Sequence, residues 1–333
     1  MKNPSKTVRY GIVGFGRFAE MVIAPALRGA AHSALVALQK RSLAEAREKA
    51  RVHSIPLSFD SVQELVAHPD VDAVFIVSAN SCHCTETIAA AENGKHVIVE
   101  KPIAMNVVEA QQMIDACALH GVKLMVGHMV RLSPLNVRLR DLIQSGALGR
   151  VTVARADFVY DGRLSHRPWL YDREVAGGGP VFDVGVHCLD TLRFVLQDEV
   201  VSVKSEMNPL PTEKRTEASA QLLLRFSRGT IGSIYCSFEA PIRKSFIEIN
   251  GTDGVASSID FTISGARTVL TITRGRKDLP SERVTEEFQV PNLYRDEISH
   301  FSECILNDSE PSLSGLNGLQ NQRVLDEAMK TPP

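Results

Sequence analysis

The chain has 333 residues, 44% of them hydrophobic, and a formal net charge of −2. That length suits two domains, each with its own core. A near-neutral balance without a basic stripe excludes nucleic acid and the anionic membrane surface as expected partners. No apolar run reaches spanning length, no leader-like apolar core follows residues 1–6, and the six cysteines form no C-x-x-C pair. We therefore expect a reduced cytoplasmic protein without disulfides. Cys82-His83-Cys84 has metal-ligand chemistry, but alternate residues of a helix point apart and no second ligand cluster follows at zinc spacing, so no metal site is expected.

Residues 8–13 read as a short buried strand, and Gly14-Phe15-Gly16-Arg17-Phe18-Ala19 then opens a helix that runs to about Gly29. This is G-x-G-x-x-A between a strand and a helix. Gly14 permits the tight turn, Gly16 lets a pyrophosphate approach the backbone, and Ala19 keeps the helix close to the sheet. The next strand, 35–38, ends in Gln39-Lys40-Arg41-Ser42. An acid here would bond a ribose 2′-hydroxyl. Two cations and a hydroxyl suit a 2′-phosphate instead, so NADP is preferred over NAD, unless Lys40 and Arg41 are only solvated turn residues.

The alternation continues with a helix over 44–52, a strand over 56–59, a helix over 61–67, and a strong buried strand over 72–77. A helix over 81–92, a strand over 96–99 running into Glu100-Lys101-Pro102, a helix over 107–119 and a strand over 123–126 follow. Strands alternating with helices predict a doubly wound parallel sheet, whose ligands lie at the carboxyl ends of the strands. Asn80, His83 and Lys101 fall at or just after such ends. Lys101 is either a surface lysine or a group that bonds a substrate hydroxyl. Pro102 allows a cis bond before it.

Beyond a strand near 149–158, the loop 160–176 carries Arg163, His166, Arg167, Tyr171 and the single tryptophan, Trp169. Trp169 offers a face for a sugar, or it is buried at a domain seam. Gly177-Gly178-Gly179-Pro180 leads into an apolar helix to Leu196, which is expected to be buried nearly all round. Asp183 and His187 stand four apart on it, and Asp190 extends their line. Buried acids and histidines are costly unless paired or used. Alternating runs at 200–207, 218–226, 230–238, 246–250, 255–261, 268–273 and 283–290 follow, with hairpin signals at Arg228-Gly229 and Asp253-Gly254. They predict a large, mostly antiparallel, open-faced sheet, closed by helices near 296–306 and 316–329. The fold class is thus α/β plus α+β: a Rossmann domain over 1–127 and a second α/β domain over 128–333.

Five stretches carry a resemblance: Gly14-x-Gly16-x-x-Ala19; Ser78-Ala79-Asn80-Ser81-Cys82-His83; Gly94-Lys95-His96-Val97 running into Glu100-Lys101-Pro102; Gly127-His128-x-x-Arg131; and Gly177-Gly178-Gly179 with Asp183-x-Gly185-x-His187-x-x-Asp190. In that order the chain resembles the glucose–fructose oxidoreductase / inositol 2-dehydrogenase / rhizopine-catabolism dehydrogenase family, clearly over 8–196 and by pattern beyond. The resemblance implies a dehydrogenase that moves hydride between nicotinamide and a carbinol or carbonyl of a sugar, cyclitol or related polyol. It implies Lys101, Asp183 and His187 as catalytic residues. Its implied cofactor contacts are Gly14, Phe15, Gly16, Arg17, Phe18, Ala19, Lys40, Arg41, Ser42, Ser78, Asn80, His83, Glu100 and Lys101. Its implied substrate contacts are Lys101, His128, Arg131, Trp169, Asp183 and His187. Relatives usually pair subunits through the open sheet face, which implies a homodimer or homotetramer. Ala79 departs from the family, where proline is usual, and this leaves the geometry of the cofactor loop open.

The chemistry of these residues agrees with that reading. His187 suits a base near neutral pH. Asp183 would orient the imidazole or bond a neighbouring hydroxyl. A protonated Lys101 would stabilise a developing alkoxide. Two other readings use the same residues: a catalytically silent cofactor- and sugar-binding regulator, and a glycosidase-type enzyme that cycles bound NAD.

Overall fold

The computed structural model describes residues 7–275 and 281–330. The first sheet is built from β1 (Val8–Val13), β2 (Ser33–Gln39), β3 (Leu57–Phe59), β4 (Ala73–Ile76), β5 (His96–Val99) and β6 (Leu124–Val126). All its pairings are parallel, in the order β3-β2-β1-β4-β5-β6. The order reverses between β1 and β4, the switch point at which ligands of such sheets bind. Its strands β1, β4, β5 and β6 are buried on both faces, which is why β4 reads as an unbroken apolar run. The connecting helices are α1 (Ala24–Gly29), α2 (Leu43–Val52), α3 (Val62–Ala67), α4 (His83–Glu92) and α5 (Val107–Leu119). A π-helical turn, Ala19–Ile23, precedes α1. Asn106 caps α5, its Oδ1 accepting the Glu109 N–H at 3.0 Å.

A helix the sequence reading did not anticipate, α6 (Pro134–Gln144), follows. It buries Leu135, Leu139 and Leu142, an i, i+4, i+7 stripe. Then come β7 (Val151–Asp161), the short α7 (Arg173–Ala176) and α8 (Val186–Leu196), the last preceded by a π-helical turn, Val181–Gly185. Every position of α8 except Phe194 is buried, and Gln197 in the left-handed region ends it.

The second sheet adds β8 (Val200–Asn208), β9 (Ser219–Phe226), β10 (Ile231–Ser237), β11 (Glu239–Gly251), β12 (Gly254–Ile259), β13 (Arg267–Arg274) and β14 (Glu282–Gln289). Its order is β14-β13-β12-β11-β7-β10-β9-β8. The hairpins at Arg228-Gly229 and Asp253-Gly254 join antiparallel neighbours, β9 with β10 and β11 with β12. The pairing of β7 with β10 is parallel, because β10 and β11 flank β7 instead of each other. Hairpin signals are local and do not report such a crossing. The chain closes with α9 (Leu293–Leu306) and α10 (Gly315–Ala328).

The chain falls into two compact units: one runs to Gly127 and takes in Tyr294–Gln322, the other holds His128–Leu293 and the chain after Gln322. Placing all of 128–333 in one domain misassigns Tyr294–Gln322. Its reason for joining the first unit is packing. The hydroxyls of Tyr10 and Ser302 lie 2.8 Å apart in the core, and the Val126 N–H donates to the Leu313 carbonyl at 2.9 Å. A Cβ at Gly318 would stand 2.7 Å from the Val126 side chain. Periodicity shows that a helix needs cover, not which sheet supplies it. No helix among the described residues is long and apolar enough to cross a membrane.

Candidate functional site

In the first unit the G-x-G-x-x-A segment turns at the carboxyl end of β1. Gly14 has φ +81°, and a Cβ there would lie 2.8 Å from the backbone of Ser78 on the β4 side. Only glycine combines that φ with that approach. Gln39, at the end of β2, accepts the Gly14 N–H on Oε1 at 3.1 Å and donates from Nε2 to the Asp60 carbonyl at 3.0 Å. Its own carbonyl accepts the Phe15 N–H at 2.9 Å. Gln39 therefore holds the loop, a role that the sequence reading missed. Gly16 and Arg17 are exposed at the start of the helical segment. A Cβ at Gly16 would meet only the Gly14 carbonyl, at 3.9 Å, so the backbone there is open to a pyrophosphate.

Of the two phenylalanines expected at the cofactor, Phe15 packs inward and Phe18 is half-buried. Phe15 is buried with its ring 5.8 Å from His53, and the Phe18 ring lies 5.6 Å from Tyr294. At the end of β2, Lys40 Nζ is paired with Glu45 at 2.8 Å and Ser42 Oγ caps α2. Arg41 is exposed.

Past β4, Ala79 has φ −70° and ψ 149°. This is the backbone that proline would lock, so the alanine keeps the shape of the loop. Ser78 Oγ donates to Glu86, whose carboxyl burial pushes up to about 7. Asn80 is buried. His83 is fully buried and its Nδ1 bonds the Pro102 carbonyl at 2.9 Å, while burial pushes the imidazole down to about 4. A neutral, enclosed His83 braces the Glu100-Lys101-Pro102 turn through this contact. The bond before Pro102 is cis. Lys101 is half-buried, and its N–H donates to the Glu100 carboxylate at 3.3 Å.

In the second unit, alternation along β7 puts Phe158 and Tyr160 on the face that α8 covers. Tyr160 donates its hydroxyl to Asp183 Oδ2 at 2.7 Å. Arg167 closes a fork on the same carboxylate, Nη1 to Oδ1 at 3.1 Å and Nη2 to Oδ2 at 3.0 Å, and its guanidinium lies 5.9 Å from the Trp169 ring. Asp183 is 5% exposed. His187 is buried, its ring 6.1 Å from Phe158. The turn holding Asp183 is π-helical, so the i, i+4 line expected of a regular helix is locally widened. A Cβ at Gly179 would strike the Glu217 carbonyl, which accounts for one glycine of the triplet.

One turn on, Asp190 is held by Arg131 through Nε and Nη2, each at 2.7 Å. His128 Nδ1 lies 3.9 Å from Asp190 Oδ2. Burial works to raise the Asp190 carboxyl, yet the facing Arg131 outweighs it and holds it well below the usual carboxylate range. The fork of Arg131, assigned to substrate, is thus engaged by Asp190, and His128 is enclosed beside it at 1% exposure. The sequence marks the polar loop from Tyr160 to Tyr171 but not the meeting of Tyr160 and Arg167 with Asp183. The β7 alternation places Tyr160 on the Asp183 side, whereas nothing local says which of the loop's cations, Arg163 or Arg167, reaches that carboxylate.

Two family models match this chain: an oxidoreductase family with an NAD-binding Rossmann fold over residues 8–128, and the GFO/IDH/MocA C-terminal domain over 136–257. The 1,5-anhydro-D-fructose reductase of Ensifer adhaerens is 31% identical over 93% of this chain and 92% of its own. The trans-1,2-dihydrobenzene-1,2-diol dehydrogenase of Mus musculus is 29% identical over 90% of this chain and 88% of its own. Among solved structures, the aldose-aldose oxidoreductase of Caulobacter crescentus, complexed with glycerol, superposes with a TM-score of 0.84 at 27% identity, over 97% of this chain and 98% of that one. The chain belongs to the GFO/IDH/MocA oxidoreductase family, and it is an oxidoreductase that uses a nicotinamide dinucleotide.

Proposed function

We propose that this member of the family reduces the carbonyl, or oxidises the carbinol, of a small sugar or related polyol, with NADP preferred over NAD. The nicotinamide supplies or takes the hydride. The open backbone at Gly16 and the exposed Arg17 hold the pyrophosphate, and Arg41, with Lys40 beside it, takes the 2′-phosphate. His187 gives the proton to the substrate oxygen in reduction and accepts it in oxidation. A protonated Lys101 stabilises a developing alkoxide. Asp183 fixes the neighbouring polar groups. The polar loop with Arg167 and Trp169 reads hydroxyls.

The observation that carries this reading is the joint presence of Lys101, Asp183 and His187 in a chain that matches the family in both halves. The name of the Ensifer relative points to a sugar ketone. A panel of aldoses, 1,5-anhydro-D-fructose and cyclitols, followed by NADPH absorbance, tests it. Turnover is expected for at least one, and Lys101→Met and His187→Ala should each lower kcat by about 10²- to 10⁴-fold. Tight NADPH binding with no turnover of any member would overturn it.

The exposed face of the second sheet carries Val153, Leu223, Ile231, Tyr235, Ile259 and Val269. This supports a homodimer or homotetramer paired through that face. Light scattering that gives only monomer mass at micromolar concentration would refute it. All six cysteines are free thiols, which supports a cytoplasmic location.

A further inference from the structure

The Asp183 carboxylate accepts at least three hydrogen bonds from outside its own helix. They come from Tyr160 of β7 and from both terminal nitrogens of Arg167, and Arg167 Nη2 also reaches the Tyr160 hydroxyl at 3.3 Å. An ionised carboxylate has about four acceptor directions, so little capacity is left for a substrate hydroxyl. The arrangement is charge-assisted and bidentate, the strongest form a side-chain pair takes.

The clamp also has a second end. Arg167 lies in the loop that follows β7. That loop is pinned on its other side by the Gly162 N–H donating to the Phe238 carbonyl at 2.9 Å, with the Tyr160 and Tyr171 rings 5.2 and 5.6 Å from Phe238. The guanidinium lies beside Trp169, so the same cation that holds Asp183 also sets where the indole stands. The Arg167 side chain is 36% exposed while Asp183 is 5% exposed, so the arginine is the outward member of the pair.

We propose that Tyr160 and Arg167 are positioning residues. Together they keep Asp183 a fixed anion, and they tie the Trp169 loop to the helix that carries His187. Asp183 then acts as a static charge and anchor and does not carry the transferred proton. Substrate hydroxyls near this corner are read by the outward N–H groups of Arg167. This rests on the proposed role of Asp183 in turnover and sharpens it. The titratable and charged groups that face Asp183 are Tyr160 and Arg167, with His187 one turn along its own helix. Burial and the Asp183 charge both raise the Tyr160 phenol, so it stays a donor at any working pH.

The test compares Arg167→Met, Arg167→Lys, Tyr160→Phe and Asp183→Asn with NADPH and 1,5-anhydro-D-fructose. Arg167→Met is expected to lower kcat/KM at least a hundredfold and to move the acid limb of its pH profile upward by about one unit, because the buried carboxylate loses its counter-charge. Arg167→Lys should restore the limb but only part of the rate, since an ammonium lacks the fork. Adding Asp183→Asn to Arg167→Met should cost little more, as expected for groups acting as one unit.

A substrate-free readout runs beside it. With ¹³Cζ-labelled tyrosine the chain has five signals, and Tyr160 is assigned by its phenylalanine variant. The Tyr160 signal should titrate with Asp183 at higher pH in Arg167→Met than in the wild type. Wild-type kinetics in Arg167→Met and Tyr160→Phe, or an unmoved Tyr160 titration, overturns the clamp. Wild-type turnover in Asp183→Asn instead removes the assignment beneath it.

Discussion

The two units organise their candidate chemistry by different means. In the first, the groups that would meet a dinucleotide are backbone groups and strand ends: Gly14 against the Ser78 backbone, the exposed Gly16, and the turn at Glu100-Lys101-Pro102. In the second, the key carboxylates are shaped by side chains from other elements: Asp183 by Tyr160 and Arg167, Asp190 by Arg131 across 59 positions. A cradle made of backbone tolerates side-chain change but not a misplaced Cβ. A buried charge network tolerates neither partner being lost.

Four measurements would break or sharpen that contrast. The largest effect should come from Arg131→Met, which leaves Asp190 buried without its fork; urea unfolding is expected to show a loss of about 3–5 kcal/mol. Arg163→Met, which removes an exposed partner of Asp161, should leave the midpoint unchanged within error. Equal midpoints for both variants would erase the distinction between network and surface.

The first unit should show its own acid sensitivity through His83. Its folded-state imidazole is pushed down from 6.5 to about 4, so the unfolded chain binds the extra proton between those values. Stability is therefore fully present above 6.5 and falls as pH drops toward about 4, by up to ~1.4 kcal/mol per pH unit. Asp190 is depressed below 3.8, so its contribution persists through that window and is lost only at lower pH. His83→Gln should flatten the unfolding free energy between pH 6.5 and about 4, and an unchanged slope would contradict the enclosed, neutral histidine.

Glycine substitutions separate shape from binding. Gly14→Ala forces a Cβ to within 2.8 Å of the Ser78 backbone at φ +81°, and should cost about 1–3 kcal/mol on thermal or denaturant unfolding. Gly16→Ala meets nothing closer than 3.9 Å, so stability should hold while calorimetry shows NADPH affinity reduced about tenfold or more. The smallest change belongs to Arg41→Ala: the ratio of NADPH to NADH affinity should fall about tenfold, with NADH binding itself unaltered.

Much of this was legible before any coordinates. The alternation of buried strands and helices led to the parallel sheet and its reversal, and G-x-G-x-x-A marked the turn at β1. Position along the chain also singled out Lys101, two residues past the carboxyl end of β5. The π-helical turn at Asp183 was not legible, because an i, i+4 pair reads the same whether or not one residue is inserted in the ladder. Nor was the enclosure of His83, since a histidine that opens a helix looks the same in sequence whether it faces a ligand or a backbone carbonyl.

By itself, the sequence determined what repeats locally: element type from periodicity, turns from glycine and proline, and the reactive residue types within each motif. Only the tertiary structure decided which charges meet. Arg131 reaches Asp190, Arg167 reaches Asp183, and residues 294–322 return to the first unit. The physical reason is range. Dihedral preferences and side-chain periodicity act over a few residues and are written in order along the chain, whereas a buried ion pair depends on where folding brings two distant segments, and no local pattern encodes that meeting.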